Sequence, residues 1–117
     1  MRDNISNVFA ALSDPTRRDL FEQLLQHPEG LTATELAEEA SVSRQAIVKH
    51  LQVLALCGLA TSERDGREVR YFAATDAAQS ASTWLSDRST AWDRRIAALN
   101  KGVQRSREGR ESSTRRP

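Results

Sequence analysis

The chain has 117 residues, of which 38% are hydrophobic and 28% charged, and its formal net charge is +1. That length suits one domain with a modest core, and the composition excludes a fully disordered chain. The single cysteine, Cys57, excludes an intrachain disulfide and a cysteine cluster for metal; no apolar run nears the ~18–20 residues of a membrane helix, the opening Met1-Arg2-Asp3-Asn4 starts no signal-like segment, and the reading is cytoplasmic.

In chain order, Ile5, Val8, Phe9 and Leu12 recur at helical spacing and predict a short first helix over residues 3–12. Asp14-Pro15 reads as N-cap and first helical position, because proline lacks only an N–H that would be unpaired there. Leu20, Leu24 and Leu25 supply the stripe of a second helix, which His27-Pro28-Glu29-Gly30 ends. Thr32-Ala33-Thr34-Glu35 has the capping-box form and predicts a short third helix with Leu36 and Ala37 inward. After the turn Glu39–Val42, Ser43 caps a fourth helix with Ile47, Leu51 and Leu54 on one face, and Gly58 is placed to end it.

The period then changes. Leu59–Arg64 and Glu68–Ala73 read as two strands, with Asp65-Gly66 as a two-residue hairpin signal of the type that needs positive φ at both positions. Asp76 is placed to cap a final helix running to about Val103, with Ala81, Trp84, Leu85, Trp92, Ile96, Leu99 and Val103 as its stripe. Residues 1–103 are expected to form one domain. Residues 104–117, with arginines, serines and glutamates but no large apolar side chain, are expected to form a disordered basic tail.

This order is mainly α with a small β-hairpin: five helices and a two-stranded wing, a winged helix-turn-helix. A helix such as 43–57 fits a DNA major groove with its N-terminal residues at base edges. On a helical wheel Gln45, Lys49 and Gln52 oppose Ile47, Leu51 and Leu54, with Val48 beside them and Arg44 at the helix start. Two amides suit adenine edges, Arg44 suits guanine or phosphate, and Lys49 suits phosphate. An ordinary solvated helix face would look similar; the wing that follows shifts the balance. Charge points the same way: residues 1–40 carry three basic and eight acidic side chains, residues 41–75 five basic and three acidic.

The sequence resembles the ArsR-type bacterial regulators over roughly residues 5–103. The stretches that carry the resemblance are Leu12-Ser13-Asp14-Pro15-Thr16-Arg17-Arg18, Ser43 to Leu54, Gly58-Leu59, and Arg64-Asp65-Gly66-Arg67-Glu68-Val69-Arg70-Tyr71. The resemblance implies a homodimer built from the first and last helices that binds a palindromic operator in double-stranded DNA, usually as a repressor. It implies DNA contacts at Ser43, Arg44, Gln45, Val48, Lys49 and wing residue Arg67, to which the basic face adds Gln52 and Arg64. The dimer face is then Ile5, Phe9, Trp84, Leu85, Trp92, Ile96 and Leu99. Metal-sensing members carry Cys-x-Cys in the third helix, where this chain has Glu35-Leu36-Ala37-Glu38, or histidines in the last helix, where this chain has none. The pattern resembles that of the metal-free branch, and no metal or cofactor is expected.

Single residues have plainer readings. His50 reads as a packed or phosphate-touching histidine, His27 as a cation at a helix end, and Cys57 as a small buried apolar residue. Trp84 and Trp92 read as dimer core before ligand box. No paired acids, phosphate loop or Ser-His-Asp set suggests an enzyme. Two alternatives stay open: an effector- or redox-responsive regulator of the same fold, and a protein-contact module, which would not need Arg44, Lys49, Arg64, Arg67 and Arg70 on its surface.

Overall fold

A computed structural model describes the backbone of residues 4–114 and the side chains of residues 4–103. Its elements are α1 (Asn4–Leu12), α2 (Pro15–Gln26), β1 (Leu31–Thr32), α3 (Ala33–Glu39), α4 (Arg44–Leu56), β2 (Ala60–Asp65), β3 (Glu68–Ala73) and α5 (Asp76–Thr114). The chain divides into two units, residues 1–82 and 83–117.

The first unit is built on local signals that the structure satisfies. The Asp14 carboxylate accepts from the backbone N–H groups of Thr16 (2.8 Å) and Arg17 (3.2 Å), so α2 starts at Pro15. Arg17 Nε donates to the Ala11 carbonyl at 2.7 Å and Arg18 Nη1 to that of Leu12 at 2.8 Å, closing the last turn of α1 with side chains from α2. Thr32 and Glu35 bond reciprocally, completing the capping box of α3. Helix α4 ends in a Schellman pair: Gly58 N–H donates to Ala55 O and Leu59 N–H to Leu54 O, with Gly58 at φ +83°.

The buried face of α4 is the centre of the core. Ile47, Leu51 and Leu54 are fully buried, with Val8, Leu20, Leu24, Leu36 and Leu59 around them. In α2 the inward residues are Leu20, Phe21 and Leu24, whereas Leu25, expected in the stripe, is exposed. Position 21 lies 100° and position 25 lies 140° from position 20 on the same flank, so Phe21 is nearer the Leu20–Leu24 stripe and Leu25 falls beyond the covered arc. Ala77 and Ala81 of α5 are buried, and α5 is exposed from residue 82 through residue 103.

The sheet has three antiparallel strands in the order β1-β3-β2, one more than the predicted wing. The added strand pairs Leu31 with Tyr71 and Thr32 with Arg70. Two residues show no period of their own, and their pairing is set by a strand about forty residues away. The hairpin register pairs Asp65 with Glu68, so the loop is Gly66-Arg67 rather than Asp65-Gly66. Only Gly66 has positive φ, +64°, which is the first position of a II′ turn and corrects the expectation of two positive-φ residues.

Two predictions about α5 are also corrected. Asp76 lies inside the first turn rather than at the cap, since Gln79 N–H already donates to the Thr75 carbonyl. The helix continues through Thr114 instead of ending near Val103, so the tail expected at 104–117 is helical over 104–114. Gln, Arg and Glu in that stretch are good helix formers, and no proline precedes Pro117 to stop it. Residues 115–117 of the expected tail lie outside the described residues.

Candidate nucleic-acid interface

The predicted DNA-facing residues of α4 stand on the side opposite its buried stripe. Ser43, Arg44, Gln45, Lys49 and Gln52 are exposed, while Ile47 and Leu51 between them show no exposed surface. Ser43 Oγ accepts from the Ala46 N–H at 3.2 Å and sets the start of the helix. Val48 is half-buried and packs partly against the core, so it offers less surface than its neighbours. Arg44 Nε donates to Thr34 Oγ1 at 3.2 Å. Thr34 lies on α3, and no spacing in the sequence points to it. It holds the guanidinium of the first helical residue from the preceding helix, which limits the rotamers Arg44 must give up on binding.

Behind this face, α4 is fastened to α2. Arg17 Nη1 donates to His50 Nδ1 at 3.4 Å, and the same guanidinium lies 3.8 Å from the Asp14 carboxylate. His50 is therefore packed against an arginine, in line with its plainer reading. His27 Nδ1 donates to the Gln23 carbonyl at 2.9 Å at the end of α2. Cys57 is buried, its Sγ lies 3.3 Å from the Leu54 carbonyl, and burial pushes its thiol pKa up. A buried thiol held in the neutral form is a poor redox sensor.

The wing separates its charges by face. Arg64 shares a face with Val69, its cross-strand partner, and Arg67 occupies the tip; both arginines are exposed. Glu63 pairs with Arg70 on the other face. Arg70, counted in the sequence among the basic surface residues, is half-buried and engaged by partners within the protein. It donates to the Gly30 carbonyl at 3.1 Å and lies 3.5–3.9 Å from Glu35, Asp65 and Glu68. Among the described residues, no group of three or more His, Cys, Asp or Glu side chains is arranged to hold a metal ion, and no helix is long and apolar enough to cross a membrane.

Two capping carboxylates are held below their ordinary pKa values and so contribute to the acid response of the fold. Asp14 sits below its ordinary value of 3.8, chiefly because it accepts from the Arg17 backbone N–H, with Thr16 adding to this against partial desolvation. Glu35 sits below its ordinary 4.5, chiefly through its bonding with Thr32, with Arg70 adding a smaller attraction. Because both folded pKa values are depressed, their stabilisation is full above the ordinary values and is lost as pH falls through the depressed ones. Thermal melts should therefore show stability falling as pH drops from about 5 to about 3. The Asp14→Asn/Glu35→Gln double variant, which keeps amide caps, should show a shallower fall; an equal fall would remove these two groups from the acid response.

A helix-turn-helix whose second helix presents arginine, lysine and amides, followed by a β-hairpin tipped with arginine, defines a winged helix-turn-helix DNA-binding protein. Comparison with known proteins agrees. A family model described as a helix-turn-helix domain matches residues 12–63. The chain is 36% identical over 69 residues to the probable mercury resistance operon repressor of Streptomyces lividans, covering 59% of this chain and 54% of that protein, so it spans about half of that relative's length. It is 33% identical over 81 residues to the transcriptional repressor SdpR of Bacillus subtilis (strain 168), covering 69% of this chain and 88% of SdpR. Among solved structures, an ArsR-like transcriptional regulator from Rhodococcus sp. RHA1 superposes with a TM-score of 0.68 at 40% identity, covering 84% of this chain and 91% of that one. The chain belongs to the ArsR-type family of winged helix-turn-helix transcriptional regulators.

Proposed function

We propose that this regulator is a homodimeric repressor that reads an inverted-repeat operator, with α4 in the major groove and the wing on the backbone or minor groove beside it. The observation that carries this reading is the two-sided α4: a fully buried Ile47, Leu51 and Leu54 fixes the helix, and Arg44, Gln45, Lys49 and Gln52 are left on its outer side. Repression is supported by the names of two relatives, the probable mercury resistance operon repressor and SdpR. A dimer is supported by apolar surface on α1 and α5. Phe9 is exposed and Ile5 half-buried, and α5 exposes Trp84, Leu85, Trp92, Ile96, Leu99 and Val103 on one side, within roughly a third of its circumference at 100° per residue.

A response to thiophilic metal, as the name of the Streptomyces relative suggests for that protein, is not part of this reading. Cys57 is the sequence's only cysteine, and it is buried with its thiol pKa raised.

Base and phosphate contacts have different signatures, and these test the reading. Gln45→Ala should cost ~1–3 kcal/mol and relax preference at one position of each half-site. Arg67→Ala should weaken all sequences alike and lower the salt slope by about one unit. Binding is measured by fluorescence anisotropy on a matched operator set across salt. If Gln45→Ala binds every operator as the parent does, α4 does not read bases through this face.

A further inference from the structure

We propose that Arg70 is a positioning residue that ties the wing to the helix-turn-helix and so sets where Arg67 meets DNA. The proposal rests on the reading of the wing as a DNA contact. All three guanidinium nitrogens are engaged. Nη1 donates to the Gly30 carbonyl at 3.1 Å and lies 3.5 Å from Glu35, Nε lies 3.8 Å from Asp65, and Nη2 lies 3.9 Å from Glu68. These partners belong to three segments. Gly30 precedes β1, Glu35 is in the first turn of α3, and Asp65 and Glu68 flank the Gly66-Arg67 tip. One side chain, 27% exposed, thus bridges the hairpin to the first helix of the helix-turn-helix.

The backbone is built to admit it. Gly30 is buried at φ +85°, and a Cβ there would lie 2.8 Å from Arg70 Cγ and 2.7 Å from Phe72 Cε1. Only glycine lets β3 come this close. The two β1–β3 pairs, Leu31 with Tyr71 and Thr32 with Arg70, are the other link along this edge. The carboxylate pairs are long, and each alone contributes little in solvent. Their shared effect lies in direction. A two-stranded ribbon has little to hold its angle, and a guanidinium hydrogen-bonded to the Gly30 carbonyl and paired at longer range with Asp65 and Glu68 beside the tip restricts that freedom. Arg70 also faces the carboxylates of Asp65 and Glu68, which would otherwise stand unbalanced beside Arg67 and repel phosphate.

The test crosses Arg67→Ala with two variants of the tether in the full chain. Arg70→Met removes the fork and keeps an unbranched apolar stem. Glu35→Gln removes one charged partner while leaving a residue able to complete the capping box. Operator affinity is measured between roughly 50 and 200 mM salt, and amide exchange is followed in the DNA-free protein. In the parent, Arg67→Ala should lower the salt slope by about one unit. In the Arg70→Met background the same substitution should lower it by less than about half that, with a smaller change of the same sign for Glu35→Gln. The Leu31 and Thr32 amides should exchange roughly fivefold or more faster in Arg70→Met, with the β2–β3 amides unchanged.

Fully additive slope losses overturn the proposal whatever the exchange rates. So does a slope loss in Arg70→Met alone that matches a lost phosphate contact while Glu35→Gln binds as the parent does, because Arg70 would then be a DNA contact itself. If Arg67→Ala has no effect in the parent, the wing-docking reading fails separately. Exchange at Leu31 and Thr32 then decides the tether, and parental rates there overturn it.

Discussion

Replacing Leu51 with alanine should lower the stability of the protein by ~2–5 kcal/mol. Leu51 shows no exposed surface and lies between Ile47 and Leu54 at the middle of the core cluster. The cost has two parts: the transfer free energy of the lost methyl groups, and a cavity that helices held by caps on several sides close only in part. Against a total of roughly 5–15 kcal/mol this is a large share, and it should lower Tm by roughly 10–20 °C. The control is Leu56→Ala, five residues along the same helix. Leu56 is 89% exposed, so its truncation should change stability by less than about 0.5 kcal/mol. Thermal melts at fixed protein concentration measure both. Equal effects would mean that α4 is not seated on the face described.

The second large effect is expected at Trp92. It is 61% exposed in the single chain, on the same side of α5 as Leu99 and Val103, which are also more than half exposed. Monomeric proteins rarely leave a run of large apolar side chains in water, and tryptophan is the residue most often found to dominate an interface. Trp92→Ala should weaken the dimer by at least ~2 kcal/mol, about thirtyfold in dissociation constant. Trp84 serves as a comparison, because its ring already carries the Arg88 guanidinium 4.4 Å from its centroid and is 38% exposed. Trp84→Ala should cost less. Sedimentation at several concentrations checks this, and a Trp92→Ala variant as tightly dimeric as the parent would rule out this face. In the proposed dimer the two half-sites are read together, so its weakening should also lower operator affinity at low protein concentration.

Much of this arrangement is legible in local chemistry. Asp14-Pro15, the Thr32–Glu35 box, Ser43 and Gly58 mark helix ends by satisfying backbone groups within a few residues, and the structure uses each of them that way. The opposition of Gln45, Lys49 and Gln52 to Ile47, Leu51 and Leu54 follows from the helical period, and the exposure pattern agrees. What escaped the sequence depends on distant partners. Strand β1 exists only because Leu31 and Thr32 meet β3. Thr34 matters only because α3 and α4 pack so that Arg44 reaches it.

Arg70 is the clearest case. In the sequence it is one more cation on a basic hairpin; in the fold its charge is spent on Glu35, Asp65 and Glu68. A count of charges along the hairpin therefore exceeds its free basic surface, because these partners lie too far along the chain or across the strand to be read from spacing. The hairpin loop slipped by one position for a related reason. Asp-Gly and Gly-Arg both suit tight turns, and the pairing of Asp65 with Glu68 decides between them.

Operator reading is tested most directly by incubating the 117-residue chain with sheared genomic DNA, recovering the retained fragments at two salt concentrations, and sequencing them. The expected result is an enriched inverted repeat with half-site centres about one helical turn, ~10 base pairs, apart or a multiple of it. Enrichment should persist at the higher salt while bulk DNA is released. Retention without any shared sequence, or lost alike from all fragments as salt rises, would contradict operator reading.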